Sequence, residues 1–234
     1  MEKQLFSVCT PSTSQVLLDI NNVRARLLGA GDMWWNLTSP GYEVPAGSGK
    51  HSLFTGALWI GGVDAGGSLK TAAMTYRQTG NDFWPGPLNS SATTDGATCS
   101  TWDQHFKINR ITAENYYNWV NGGSVGPNPC SATEMNVINN WPVLDAEGNP
   151  MAPFWDVNSN TIYEPWLGEI PDFDVTGTRA CQAQLHGDQD IYWVFNDKGN
   201  LHTETGGAAF GIEIQATAFA YASSDALKIG RAHV

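Results

Sequence analysis

Between Ile212 and Ala218 the chain alternates strictly, with Ile212, Ile214, Ala216 and Ala218 separated by Glu213, Gln215 and Thr217. A period of two predicts a strand with one buried face. Upstream, the run DIYWVFND at 190–197 is rich in the aromatic and β-branched residues that favour strands, and it ends at a Lys198-Gly199-Asn200 turn before LHTET, read as another strand. The segments MWWNL, SLFTGALWIGG and TAAMTYRQ, from Met33 onward, read as strands broken by SPGYEVPAGSGK and VDAGGSLK. Within the last of these breaks, Asp64-Ala-Gly-Gly-Ser predicts a hairpin connection, because Gly supplies the positive φ of tight β-turns.

Helical spacing is rarer. Val16, Leu17, Ile20, Val23 and Leu27 fall near it, yet β-branched residues and Asn21-Asn22 leave the element type of Val16–Leu28 open. Residues 101–120 (TWDQHFKINRITAENYYNWV) form the best helix candidate, and 80–100, rich in Gly, Pro, Ser and Thr, are expected to be loop. The stretch 121–185 is crowded with Pro, Asn, Asp and Trp and is too long for a bare connection unless something orders it. A bound ion would do so.

Composition supports the same class. Charged residues make up 15% of the 234, against ten Trp, seven Tyr, nine Phe, 25 Gly and 12 Pro, the balance of a turn-dense, aromatic-packed protein. The expectation is a mainly β, β-sandwich-like fold with one or two short helices and long irregular loops. A formal net charge of −11 disfavours nucleic acid and anionic lipid, both of which are bound through Lys and Arg. No apolar run reaches the roughly 20 residues that span a bilayer, so membrane insertion is not expected. The opening MEKQLFSVCTPS lacks the apolar core of a signal peptide, which leaves either a cytoplasmic chain or an export signal upstream of this start.

Cys9, Cys99, Cys130 and Cys181 form no CxxC or Cys/His cluster of the kind zinc requires. Four cysteines permit three pairings. Cys99 with Cys130 is the expected one, since it would close a Gly/Asn/Ser-rich stretch; four free thiols are the alternative.

The most informative segment is Asp156-Val-Asn158-Ser-Asn160-Thr-Ile-Tyr-Glu164, in which side-chain oxygens on alternate residues can converge on a hard cation such as calcium. In the EF-hand register the sixth position takes Gly and the twelfth a bidentate acid, whereas Thr161 and Leu167 stand there. Glu164 and Glu169 are placed to complete the shell, with Asp172 and Asp174 nearby. The expected metal ligands are therefore Asp156, Asn158, Asn160, Glu164 and Glu169. The alternative is an Asx-turn loop that caps its own backbone without an ion.

Other groupings carry less. His202, Glu204, His186, Asp188 and Asp190 supply ligand and proton-carrier chemistry but match no metal spacing, and a structural role for Thr203 and Glu204 at the following turn is the preferred reading. Trp34, Trp35, Trp84, Trp155 and Trp166 would build a sugar-stacking face if exposed, or a core if buried. There is no G-x-S-x-G elbow, and GSGK at 47–50 lacks the Walker spacing, with His51 where Ser or Thr should follow. No catalytic residue is assigned.

The blocks DINNVRARLLGAGDMWW, YEVPAGSGKHSLFTGALWIGG, TYRQTGNDFWPGPL, APFWDVNSNTIYEP and HGDQDIYWVFNDKGNLHTETGG together resemble the N-terminal region of large Bacteroidota proteins that carry a C-terminal type IX secretion sorting domain. The resemblance runs from about Cys9 to about Asp225. It implies a secreted or cell-surface location, and a loop of the form DVNGDGxYxPxxGDYP in which Asp156 and Asn158 match, Asn160 replaces an acid, Thr161 replaces Gly and Glu169 replaces a shorter acid. Those departures imply weaker calcium binding than in the relatives. The relatives continue with further strands beyond AYASSDA, whereas IGRAHV resembles the in-frame translation of a sequencing-library adapter. The expectation is one module over 1–225, truncated at its C-terminus, followed by a non-native tail at 226–234. The function expected is that of a non-enzymatic extracellular module in surface structure, adhesion or contact with a glycan or surface protein, and the alternative is a fragment of a polysaccharide-active hydrolase.

Overall fold

The computed structural model describes residues 9–76, 79–223 and 232–233. Strands account for 29% and three α-helices for 15%, and the sheets are antiparallel, as the alternation and composition predict. Close packing divides the chain into two compact units, 1–105 with 193–216, and 106–192 with 217–234.

The first unit opens with β1 (Gln15–Leu18) and β2 (Arg24–Leu28), paired from Gln15↔Leu28 to Leu18↔Ala25. This resolves the open element type of Val16–Leu28: Asn21 and Asn22 form the turn of a hairpin, and Asn21 Oδ1 accepts from the Val23 N–H at 2.8 Å. The remaining strands of this sheet are β3 (Asp32–Met33), β4 (Tyr42–Glu43), β5 (His51–Leu53) and β6 (Gly56–Ala57), in the order β5-β4-β2-β3-β6. MWWNL is thus mostly not strand. Trp34 and Leu37 adopt φ of 68° and 72°, left-handed values that end β3.

The expected hairpin is β7 (Trp59–Val63) with β8 (Leu69–Ala73), in register from Trp59↔Ala73 to Val63↔Leu69. Asp64 Oδ1 holds the turn by accepting from the N–H groups of Gly66 and Ser68, both at 2.9 Å. After β9 (Trp84–Pro85), α1 (Gly96–Trp102) starts at Asp95, whose side chain accepts from the Thr98 N–H. A helix therefore begins inside the expected loop 80–100. The observed disulfide joins Cys9 to Cys99, not Cys99 to Cys130; Cys130 and Cys181 are free. Cys9, Cys99 and Trp84 pack as one buried cluster, so the bridge ties the start of the chain to α1.

In the second unit the expected helix 101–120 is divided. Phe106–Asn109 is strand β10, and α2 covers Arg110–Asn121, burying Thr112, Ala113 and Tyr116. The helix α3 (Ala132–Asn139) lies within the stretch expected to be irregular, behind a reciprocal Ser131/Glu134 capping box. The short pair β11 (Phe154–Trp155) and β12 (Ile170–Pro171) brackets the acidic loop.

Strands β13 (Gln189–Asn196) and β14 (Glu213–Ala220) are neighbours in one sheet, and each contributes residues to both units. All eight residues of β13 are buried, which explains its unbroken apolar run, since a strand covered on both faces has no polar side to alternate. Full burial of a side chain such as Ile191 or Phe195 contributes about 1.5–3 kcal/mol. On β14 the alternation is realised at its end, where Ala218 and Ala220 are buried and Gln215 is exposed. LHTET at 201–205 is not a strand; it wraps buried polar groups instead. The expected tail 226–234 lies outside the described residues except for β15 (Ala232–His233), which pairs with β14.

Candidate functional site

The loop 156–169 in the second unit is built almost entirely from its own hydrogen bonds. Asp156 accepts from the Asn160 N–H (3.2 Å) and the Thr161 N–H (2.7 Å) through separate oxygens. Asn158 Oδ1 accepts from the Asn160 N–H at 3.0 Å, and Asn160 Oδ1 from the Ile162 N–H at 2.8 Å. Both amides then donate to one oxygen of Glu164, at 3.1 and 2.7 Å. Ser159 and Thr161 adopt φ of 61° and 65°. Thr161 therefore makes the left-handed turn that Gly normally provides at the sixth position, at a cost of about 1–2 kcal/mol for a residue with a Cβ.

Beyond a turn of 3₁₀-helix at Pro165–Leu167, Gly168 (φ 90°) swings the chain round so that Glu169 points back beneath the loop. Glu169 is fully buried, and its two oxygens accept from the Val157 N–H (3.2 Å) and the Glu164 N–H (2.7 Å). Burial raises its carboxyl above the ordinary glutamate value, and the charges of Asp156 and Glu164 push it the same way. Burial also works to raise Asp156, but the N–H groups of Thr161, Asn160, Ser159 and Asn158 outweigh it and leave the group lowered.

The five expected ligands are thus drawn into one loop by bonds among Asp156, Asn158, Asn160 and Glu164 and by Glu169 beneath. The hard-oxygen chemistry fits calcium, and three carboxylates, two of which push the third upward, form a site of negative charge. Among the described residues, however, no three His, Cys, Asp or Glu side chains converge as a ready metal cage. The loop as folded is the Asx-turn arrangement, with its oxygens already accepting from N–H donors. Asp172 is engaged elsewhere, pairing with Arg179 at 2.6 Å, while the Arg179 guanidinium lies 4.6 Å from the centre of the Trp155 ring. Asp174 Oδ1 accepts from the Thr178 N–H at 3.1 Å.

The His and Asp grouping of 186–204 resolves into two separate sets. In the first unit, His202 is buried and both its ring nitrogens meet carbonyl oxygens, Thr71 O and Asp197 O, each at 2.7 Å. Glu204 accepts from the Gly80 N–H at 2.7 Å and the Thr203 hydroxyl from the Asn81 N–H at 2.9 Å, so both hold backbone donors, though of 80–81 and not of the turn that follows them. In the second unit, Arg110 donates to the carbonyls of Gly187 and His186 and lies 3.7 Å from Asp188. Asp190 is buried beside them.

Buried carboxylates elsewhere have the same kind of partner. Asp82 accepts from the Ala73, Glu204 and Thr205 N–H groups, and Asp197 from those of Phe210, Gly211 and Ile212. Asp32 accepts from Trp35 Nε1 at 2.9 Å. These acids organise loops.

The tryptophans divide between core and surface. Trp35 and Trp84 are buried, so the five-membered sugar-stacking face is not formed. Trp34 is half-buried against Tyr42, and Trp155 stacks on Tyr117 at 4.9 Å. Trp166, 66% exposed at the acidic loop, and Trp59, 72% exposed on the hairpin, present open rings. Trp59 carried no special sequence signal, and only its place on the outward face of β7 exposes it.

Comparison with protein-family models, with curated proteins and with solved structures finds no match to this chain.

Proposed function

We propose that the chain is a non-enzymatic extracellular module of a larger secreted or surface-anchored bacterial protein, acting by adhesion or glycan contact, with calcium ordering the 156–169 loop. The observation that carries the location is the Cys9–Cys99 disulfide, because such bridges persist in oxidising compartments and are reduced in the cytosol. The resemblance to exported Bacteroidota proteins points the same way. Support for a binding rather than a catalytic role comes from the buried acids Asp32, Asp82 and Asp197, which accept hydrogen bonds from backbone and Trp donors and so serve as loop organisers rather than as the free acid pair of a glycosidase. The open rings of Trp59 and Trp166 suit sugar stacking. The gathering of Asp156, Glu164 and Glu169, the first two of which push the carboxyl of the third upward, supports calcium, which would take up oxygen lone pairs that the N–H donors leave free.

The test is a glycan array probed with the oxidised protein, with calcium or with chelator, followed by reducing-end release on every glycan that binds. Binding without release is expected. Release of reducing ends would establish the hydrolase reading instead. For calcium, a thermal melt should rise with millimolar calcium and return with chelator; no shift together with no calorimetric binding heat would remove the ion from the proposal.

A further inference from the structure

On one face of the first sheet lies an open hollow of about 200 Å³ lined by Leu17, Arg24, Arg26, Pro40, Glu43 and His51. Its construction follows from strand register. Arg24 and Arg26 are two residues apart on β2 and so project to the same face, and their cross-strand partners Glu43 and Leu17 project with them. His51, opposite Glu43 on β5, completes the set. At Gly41 a Cβ would press on the Arg26 side chain and the Trp34 and Trp35 backbone, so glycine is what lets these segments pack closely beside the hollow.

The charge of this hollow runs against that of the chain. With only 12 Lys and Arg against 23 Asp and Glu in the whole sequence, two arginines stand side by side here. Glu43 neutralises Arg24 through an ion pair; its carboxyl is held below the usual range by the Gly49 N–H foremost, with Arg24 adding to the effect. Arg26 has a neutral partner, Gln15, and its buried Nε meets no hydrogen-bond acceptor. With no carboxylate of its own among the described residues, the Arg26 guanidinium is the free cation of the pair, and an incoming carboxylate would match its planar fork.

We propose that this hollow binds a single carboxylate, that of a uronic acid residue in an acidic glycan, with Arg26 as the principal anchor and Leu17 and Pro40 as the apolar wall for the sugar ring. The hollow is smaller than the about 300–1,000 Å³ typical of drug-sized sites, which suits one monomer of a chain continuing into solvent. Its groups are side chains on a sheet face and not the N–H and C=O groups of a strand edge, which favours a saccharide over a peptide added as a strand. The choice of a saccharide rests on the glycan-contact reading above; the choice of a carboxylate does not.

The experiment titrates the oxidised full chain with trigalacturonate, its methyl ester, a neutral trisaccharide and a short glutamate peptide, by calorimetry and by amide chemical shifts. Trigalacturonate is expected to bind at least tenfold more tightly than its ester, to shift β2 and β4 amides and to weaken at high salt. Arg26→Gln should reduce that binding at least tenfold. His51→Glu, an exposed change that leaves the fold intact, should do the same by placing a negative charge in the hollow. Equal binding of acid and ester, or binding of trigalacturonate unaffected by both variants, would overturn the carboxylate site while leaving glycan contact standing. Binding of the glutamate peptide alone, abolished by both variants, would overturn the glycan assignment. No binding of any acid would overturn the proposal, and the neutral sugar then reads glycan contact separately.

Discussion

Asp190 is 1% exposed on β13, with one carboxylate oxygen accepting from the Gly187 N–H at 3.0 Å and the other meeting no donor. Burial raises its pKa from 3.8 to about 7, against the pull of the Gly187 and His186 N–H groups and of Arg110, while Asp188 adds to the rise. Between those values the folded chain holds a proton that the unfolded chain has released. Stability contributed by this group is therefore full at pH 4 and falls as pH rises to about 7, above which it is constant. At about 1.4 kcal/mol per tenfold change in proton affinity, the displacement sets a ceiling of about 4 kcal/mol on the loss. Asp190→Asn cannot ionise and keeps the oxygen that accepts from Gly187. In denaturant titrations every half unit from pH 4.5 to 8.5, the variant should gain on the parent as pH rises, by up to about 4 kcal/mol at pH 8, while near pH 4.5 the gap closes or reverses. Subtracting the two profiles cancels the other titrating groups. Parallel profiles, or a variant less stable than the parent by the same amount at every pH, would refute the assignment of a neutral buried acid.

His105 behaves with the opposite sign: burial foremost lowers it to about 4, against the pull of Leu28 and Asp103, so its contribution should disappear as pH falls from about 6.5 through about 4, and the acid limb of the stability profile should flatten in His105→Gln. Thr161→Gly should release about 1–2 kcal/mol of left-handed strain, partly offset by unfolded-state entropy of about 0.5–1 kcal/mol, giving a slightly higher melting temperature; a fall would mean that the Thr161 hydroxyl bond to the Asn160 carbonyl matters more. Cys99→Ser opens a bridge between residues 90 apart in sequence and should lower stability by about 4–5 kcal/mol on the chain-entropy estimate, with the same loss on reduction of the parent, while Cys181→Ser should be neutral.

Where structure and expectation differ, the causes are distinct. The signal for α3 was present in Ser131-Ala-Thr-Glu134 ahead of Met135 and Ile138, a capping box hidden by the Pro and Asn that surround it. The stretch 101–120 mixes two periods, because Phe106–Asn109 pairs with β13, from Phe106↔Tyr192 to Asn109↔Gln189, far along the chain. Closing the Gly/Asn/Ser-rich stretch favours Cys130 as the Cys99 partner, whereas Cys9 takes that place because the N-terminal segment returns to α1.

What the sequence determined by itself was what depends on neighbours a few residues apart: the β7–β8 hairpin from its Gly-rich turn, the strand β13 from its apolar run, and the acidic loop with Asp156, Asn158, Asn160 and Glu164 bonded to one another. Only tertiary structure decided which groups from distant segments meet. It placed Glu169 beneath the loop, buried Trp35 and Trp84 while leaving Trp59 open, and set Arg26 beside the Arg24–Glu43 pair in a hollow. The reason is physical: turn and strand preferences act over a few bonds, whereas burial, disulfide partners and the charge around a side chain depend on which surfaces the whole chain brings together.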